Sequence, residues 1–278
     1  MKTVLVPVEE RPYTQFVLEA ALMLAQSFES YLEGLALGPD IPNVYALDVP
    51  VVVTEILDEP SRREIARRSR ARFETAMQAH GIPERFGEPT GLSFGWYGDD
   101  VLGDSFLGDY GRVFDVIVVG RPSTDEAGPR MATLEEALFA SGRPVLVAPP
   151  QAFPTAMGRS VVIAWNGSTE TARAVSLGMP LLRRAKQVVV LTVEGGTVPG
   201  PTGEQLARTL RINGVPAQAH HTPESGSVGE TILATAREVG ADLLVKGAYT
   251  QSRLRQMIFG GATRHLLDHA PIPMLMAH

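Results

Sequence analysis

The chain repeats one plan twice. Val4-Leu-Val-Pro-Val-Glu9 returns as Val161-Val-Ile-Ala-Trp-Asn166, Phe114-Asp-Val-Ile-Val-Val-Gly120 as Ala241-Asp-Leu-Leu-Val-Lys-Gly247, and Arg143-Pro-Val-Leu-Val-Ala148 as Ile272-Pro-Met-Leu-Met-Ala277. Identity is low, yet three strand-like segments recur in one order, so whatever the first copy folds into the second must match. The join is Pro149-Pro-Gln-Ala-Phe-Pro-Thr-Ala-Met-Gly158, rich in residues that end strands and link domains. It divides the chain into 1–150 and 158–278.

Within each copy, short apolar runs alternate with amphipathic stretches of helical period. That is the pattern of an α/β fold, a parallel sheet doubly wound with helices on both faces. In the second copy the expected strands are 160–165, 187–193, 216–221, 242–246 and 272–276, with helices at 169–184, 202–213, 227–239 and 262–269. Ser168 suits the cap of the first of these helices and Gly240 the end of the third. In the first copy the strands fall near 3–8, 31–37, 91–96, 115–119 and 144–148. That copy is longer by Pro39 to Glu59 and a helix from about Ser61 to His80. The expectation is two repeated five-stranded, doubly wound domains.

Composition limits the chemistry. With 278 residues and 44% apolar content the chain fills one or two cores, and with no cysteine it has no disulfide, zinc–thiolate site or cysteine nucleophile. The start, Met1-Lys-Thr-Val-Leu-Val-Pro-Val-Glu-Glu10, turns acidic after a run too short for a signal peptide or membrane span, so the cytoplasm is the expected location and no membrane partner is expected. Residues 1–150 carry 13 basic against 23 acidic groups, and residues 151–278 carry 12 against 8. An acidic chain is a poor nonspecific nucleic-acid binder, whereas the basic half suits an anionic ligand and docking onto the acidic half.

The basic half also contains the segment best suited to an anion. Lys246-Gly-Ala-Tyr-Thr-Gln-Ser-Arg-Leu-Arg-Gln-Met-Ile-Phe-Gly-Gly-Ala-Thr-Arg-His-Leu-Leu267 joins a strand to a helix through a glycine-bearing loop. Gly247 ends the strand, Gly260 and Gly261 open the helix, and free N–H groups at a helix start hold phosphates. Arg253, Arg255 and Arg264 are expected to add charge. In the first copy, Met131 and Ala132 replace the helix-start glycines, and Asp125, Glu126, Glu135 and Glu136 are expected to repel a phosphate.

This segment resembles the universal stress protein family, whose nucleotide-binding members carry G-x2-G-x9-G-[ST] after the fourth strand and a Pro-initiated last strand. Gly247 falls on the first glycine, Gly260 on the third, Thr263 on a later hydroxyl position, and His269-Ala-Pro-Ile-Pro-Met-Leu-Met276 on the family's ending. Thr250 stands at the second glycine, Gly261 at the Ser or Thr position, and Asn166 at the family's Asp, where Asn keeps hydrogen-bonding capacity without charge. The resemblance implies a tandem, Rossmann-like fold of the adenine nucleotide alpha hydrolase type, packed as an internal pseudo-dimer through last strands, with two chains pairing again as a homodimer. It implies a ligand crevice between the first and fourth strands, lined by Ala164, Trp165 and Asn166, by Val193 and Glu194, and by the loop. The candidate ligand residues are therefore Ala164, Asn166, Val193, Lys246, Gly247, Thr250, Gly260, Gly261, Ala262 and Thr263, with ATP or AMP as ligand. The implied function is a non-catalytic stress-response protein. Two alternatives stay open: an assembly or interaction protein that has lost the nucleotide, and, by fold analogy alone, an adenine-nucleotide-using enzyme.

The remaining polar clusters have plainer readings. Arg62, Arg63, Arg67, Arg68, Arg70 and Arg72 lie among Glu59, Glu64 and Glu74, which fits a salt-bridged helix face. His265 and His269 lack a third ligand, so a surface pair is expected rather than a metal site. His220 and His221 are expected in a surface loop. The chain has no G-x-S-x-G elbow, H-E-x-x-H, complete Walker loop or supported pair of catalytic carboxylates.

Overall fold

A computed structural model describes residues 1–38, 58–85, 87–88, 90–123, 125, 128–153, 156–248 and 261–278. The first copy runs β1 (Thr3–Val8), α1 (Thr14–Phe28), β2 (Tyr31–Leu37), α2 (Glu59–Ala79), β3 (Ser93–Leu102), α3 (Asp104–Tyr110), β4 (Val116–Gly120), α4 (Met131–Ala140) and β5 (Val145–Ala148). The second runs β6 (Ser160–Ala164), α5 (Thr169–Leu182), β7 (Gln187–Val193), α6 (Gly203–Ile212), β8 (Ala217–Thr222), α7 (Val228–Glu238), β9 (Leu243–Gly247), α8 (Gly261–His269) and β10 (Met274–Ala277). Local chemistry sets the helix ends. Ser168 accepts from Thr171 N at the start of α5, Thr202 and Gln205 form a capping box on α6, and Gly240 takes φ +60° just beyond α7. Strand β3 continues six residues past the expected 96, pairing Leu102 with Leu37 after a register shift.

The strands form one ten-stranded sheet in the order β3-β2-β1-β4-β5-β10-β9-β6-β7-β8. Each half is parallel with the same internal order, so strand order reverses between β1 and β4 and again between β6 and β9. The halves meet where β5 and β10 pair antiparallel, Met274 opposite Val147, Leu275 opposite Leu146 and Met276 opposite Val145. Leu146 and Leu275 are repeat equivalents, so the local twofold axis passes between them. This is a self-complementary junction made inside one chain.

Two cores cover the two faces. One gathers Val17, Phe73, Leu146, Ala174, Leu210 and Leu275, and the other Leu107, Leu134, Val147, Ile232, Leu266 and Met274. Both cross the junction, and equivalent helices lie on the same face, which places the twofold axis normal to the sheet. Asp115 and Asp242, equivalents in the repeat, each clamp the first strand of their own half: Asp115 accepts from Lys2 N and Thr3 N, and Asp242 from Gly158 N, Arg159 N and Ser160 N.

Candidate functional site

In an open parallel sheet the carboxyl ends of the strands leave a crevice where strand order reverses. At the second reversal this crevice is a cavity of about 360 Å³, lined among others by Ala164, Asn166, Val193, Lys246, Gly261, Ala262 and Thr263. The sequence expectation named all seven, and the fold brings them together from β6, β7, β9 and α8. Trp165 and Leu191 line it too, as do Glu224, Ser227, Val228 and Ile232, which the sequence did not single out because they lie before or within a helix with no distinctive motif.

Asn166 is held from behind. Its Oδ1 accepts from Thr171 Oγ1 at 2.7 Å and from Ser168 N at 3.3 Å, and its backbone oxygen accepts from Val198 N. Trp165 donates from Nε1 to Pro201 O at 2.8 Å, tying the segment after β7 to the end of β6. Gly167 is needed beneath that segment: its φ is +84°, and a Cβ there would stand 2.9 Å from Val198 O.

Lys246 is the unusual residue of the site. It is 8% exposed, its Nζ lies 3.4 Å from Gly247 O, and no ion pair to it exists among the described residues. Burial pulls the amine down to about 8. Thr263, 5% exposed, presents its side chain to the same space from the first turn of α8. First-turn amides of a helix have no intrahelical acceptor, so the α8 end of the cavity offers donors.

Other expected site residues lie elsewhere. Gly247 does not line the cavity; a Cβ on it would meet Thr171 N at 2.3 Å, so it lets the first turn of α5 close onto β9. Thr250 and Gly260 lie outside the described residues, as do Arg253, Arg255, Glu126 and most of Pro39 to Glu59. Arg264 turns away from the cavity, 3.8 Å from Asp268, and lines a separate hollow between the halves with Arg121 and Tyr13. Glu194 also lies outside it, 3.8 Å from His221. His220 and His221 are in edge strand β8 rather than a loop, on exposed positions. His265 and His269 stack with ring centroids 4.3 Å apart, and the His265 ring packs against Gly229. The arginines of α2 form the expected ion pairs, Arg63 with Glu59, Arg67 and Arg68 with Glu64, and Arg70 with Glu74.

The crevice of the first half is occupied by its own side chains. Glu9, the equivalent of Asn166, and Asp104 at the start of α3 are 8% and 3% exposed, and Arg130, just before α4, bridges them. Arg130 Nη2 lies 2.8 Å from Asp104 Oδ1, and Arg130 Nη1 donates to Glu9 Oε1. Tyr13 donates to the other Glu9 oxygen and Thr133 to Asp104. Burial, then the adjacent Glu9, pushes the Tyr13 phenol up, so it stays a donor. The sequence expectation rested on repulsion by Asp125, Glu126, Glu135 and Glu136; the geometry adds a guanidinium at the place before the helix. Neither Glu9 nor Asp104 belongs to a short motif; only the fold joins them to Arg130.

Fold and cavity together define a class: a tandem doubly wound α/β protein with one open and one internally filled crevice. Residues 201–278 match the universal stress protein family. The match covers the carboxy-terminal part of the chain, and the fold of the whole chain is the one seen in a solved universal stress protein. A universal stress protein from Archaeoglobus fulgidus DSM 4304 superposes with a TM-score of 0.69 at 14% identity, covering 99% of this chain and 95% of that one. A functionally unknown protein from Pseudomonas aeruginosa PAO1 superposes with a TM-score of 0.57 at 16% identity, covering 100% and 92%. No curated protein matches the chain. Among the described residues no group of three or more His, Cys, Asp or Glu could hold a metal ion, and no helix is long and apolar enough to cross a membrane.

Proposed function

We propose that this protein is a cytoplasmic stress-response module that binds one adenine nucleotide, ATP or AMP, in the cavity of its second half and works by binding rather than by catalysis. The observation that carries the reading is the convergence of Ala164, Asn166, Val193, Lys246, Gly261, Ala262 and Thr263 on one cavity at a strand-order reversal. Its volume of about 360 Å³ suits a base and ribose beside β6 and β7, and its α8 end suits the phosphates. Asn166, with Oδ1 already accepting from Thr171, keeps its amide N–H groups for a ribose or base acceptor.

Calorimetric titration with ATP and AMP is the test. Saturable heat is expected, and Ala262→Asp, which puts a carboxylate at the helix start, should weaken binding by about a hundredfold while the chain stays folded, since an acid favours that end of a helix. No heat with either nucleotide rejects the reading in favour of an assembly protein that has lost its ligand. In either role we assign a homodimer of chains; light scattering that gives the mass of one chain at high concentration counts against it.

A further inference from the structure

Lys246 stands where the fold needs no cation. Its repeat equivalent, Val119, is an ordinary core residue, 1% exposed, so the position accepts an apolar side chain without loss. In the second half the same position holds an amine that is nine-tenths buried and turned into the cavity. Its neighbours there, Ala164, Leu191, Val193, Ile232 and Thr263, are neutral. Among the described residues the other titratable group on the wall is Glu224, which lies over Gly195 and makes no ion pair with Lys246. Residues 249–260, which follow β9 in sequence, contain no Asp or Glu. A buried ammonium without a counter-ion is costly, and sites that break a local rule of core composition are characteristically functional.

We propose that the ammonium of Lys246 is the counter-ion of the ligand's phosphate, so that the cavity selects phosphorylated over neutral ligands and takes up a proton as it fills at alkaline pH. The proposal deepens the nucleotide reading and rests on it for the choice of ligand. The donors converge on the same space from two sides, the amine from β9 and the first-turn amides and Thr263 from α8. A phosphate between them would be held by charge-assisted hydrogen bonds while the amine is kept protonated.

The test is calorimetry with AMP, adenosine and inorganic phosphate at pH 8.5, in buffers of different ionisation enthalpy, on the full chain and on Lys246→Met. In the free protein an amine titrating at about 8 is mostly neutral at this pH, so uptake of about 0.7 proton per AMP is expected. Lys246→Met, an apolar replacement suited to a core strand, should abolish the uptake and weaken AMP at pH 7 by about tenfold or more, leaving adenosine within about twofold. Binding of AMP without proton uptake, or uptake that persists in Lys246→Met, overturns the counter-ion role while the nucleotide site stands. If neither AMP nor ATP binds, the nucleotide reading fails and inorganic phosphate decides. Proton-linked phosphate binding lost in Lys246→Met sustains the anion site, and no phosphate binding overturns it.

Discussion

At the scale of single residues, Lys246 ties stability to pH: burial lowers its pKa, so the fold gains stability as the pH rises. Below pH 8 the folded and unfolded chains both carry the ammonium, and the folded chain bears its full desolvation cost. Between about 8 and the ordinary lysine value of 10.5 the folded chain loses the proton while the unfolded chain keeps it, so stability rises across that window. The ligand-free protein should therefore gain roughly 3 kcal/mol from this group between pH 7 and pH 10.5. Urea unfolding of wild type and Lys246→Met isolates the contribution as the difference between the two profiles. Equal slopes in both proteins would show the amine to be solvated. The sequence placed this lysine in the candidate site through a loop motif, but its burial is a property of the sheet. It becomes visible in sequence only when Lys246 is set beside Val119.

At the scale of elements, the strands and helices of the second half were legible within a few residues, because the cues are local. Apolar runs are bounded by Gly and Pro, and Ser168, Thr202 and Gly240 sit at the ends where capping chemistry puts them. What was not legible is what closes the first-half crevice, since Glu9, Asp104 and Arg130 come from three separate elements and meet only through β1 and β4 pairing. The role of Gly247 was likewise hidden: the motif suggested a ligand-side turn, whereas its missing Cβ makes room for the start of α5. Arg130→Met should leave two buried carboxylates without their cation and cost about 3 to 5 kcal/mol. Chemical denaturation measures this, and a loss below about 1 kcal/mol would mean that the carboxylates find water or protons instead.

At the scale of the whole molecule, the twofold junction explains how one chain acquires two unlike crevices. Pairing through Leu146 and Leu275 needs only the last strands and the two shared cores, so the strand ends at either reversal are free to diverge. One half then kept an open cavity with a buried cation, and the other filled its crevice with Glu9, Arg130 and Asp104. The repeat announced the common fold; the divergence lies in side chains at the ends of strands, where spacing carries little information. The asymmetry is tested most directly by hydrogen exchange read by mass spectrometry with and without saturating AMP. Protection is expected in the segments at 164–168, 193–198 and 243–248 and at the start of α8, with none around Glu9 or Arg130. Protection that appears in both halves, or only in the first, would contradict the account.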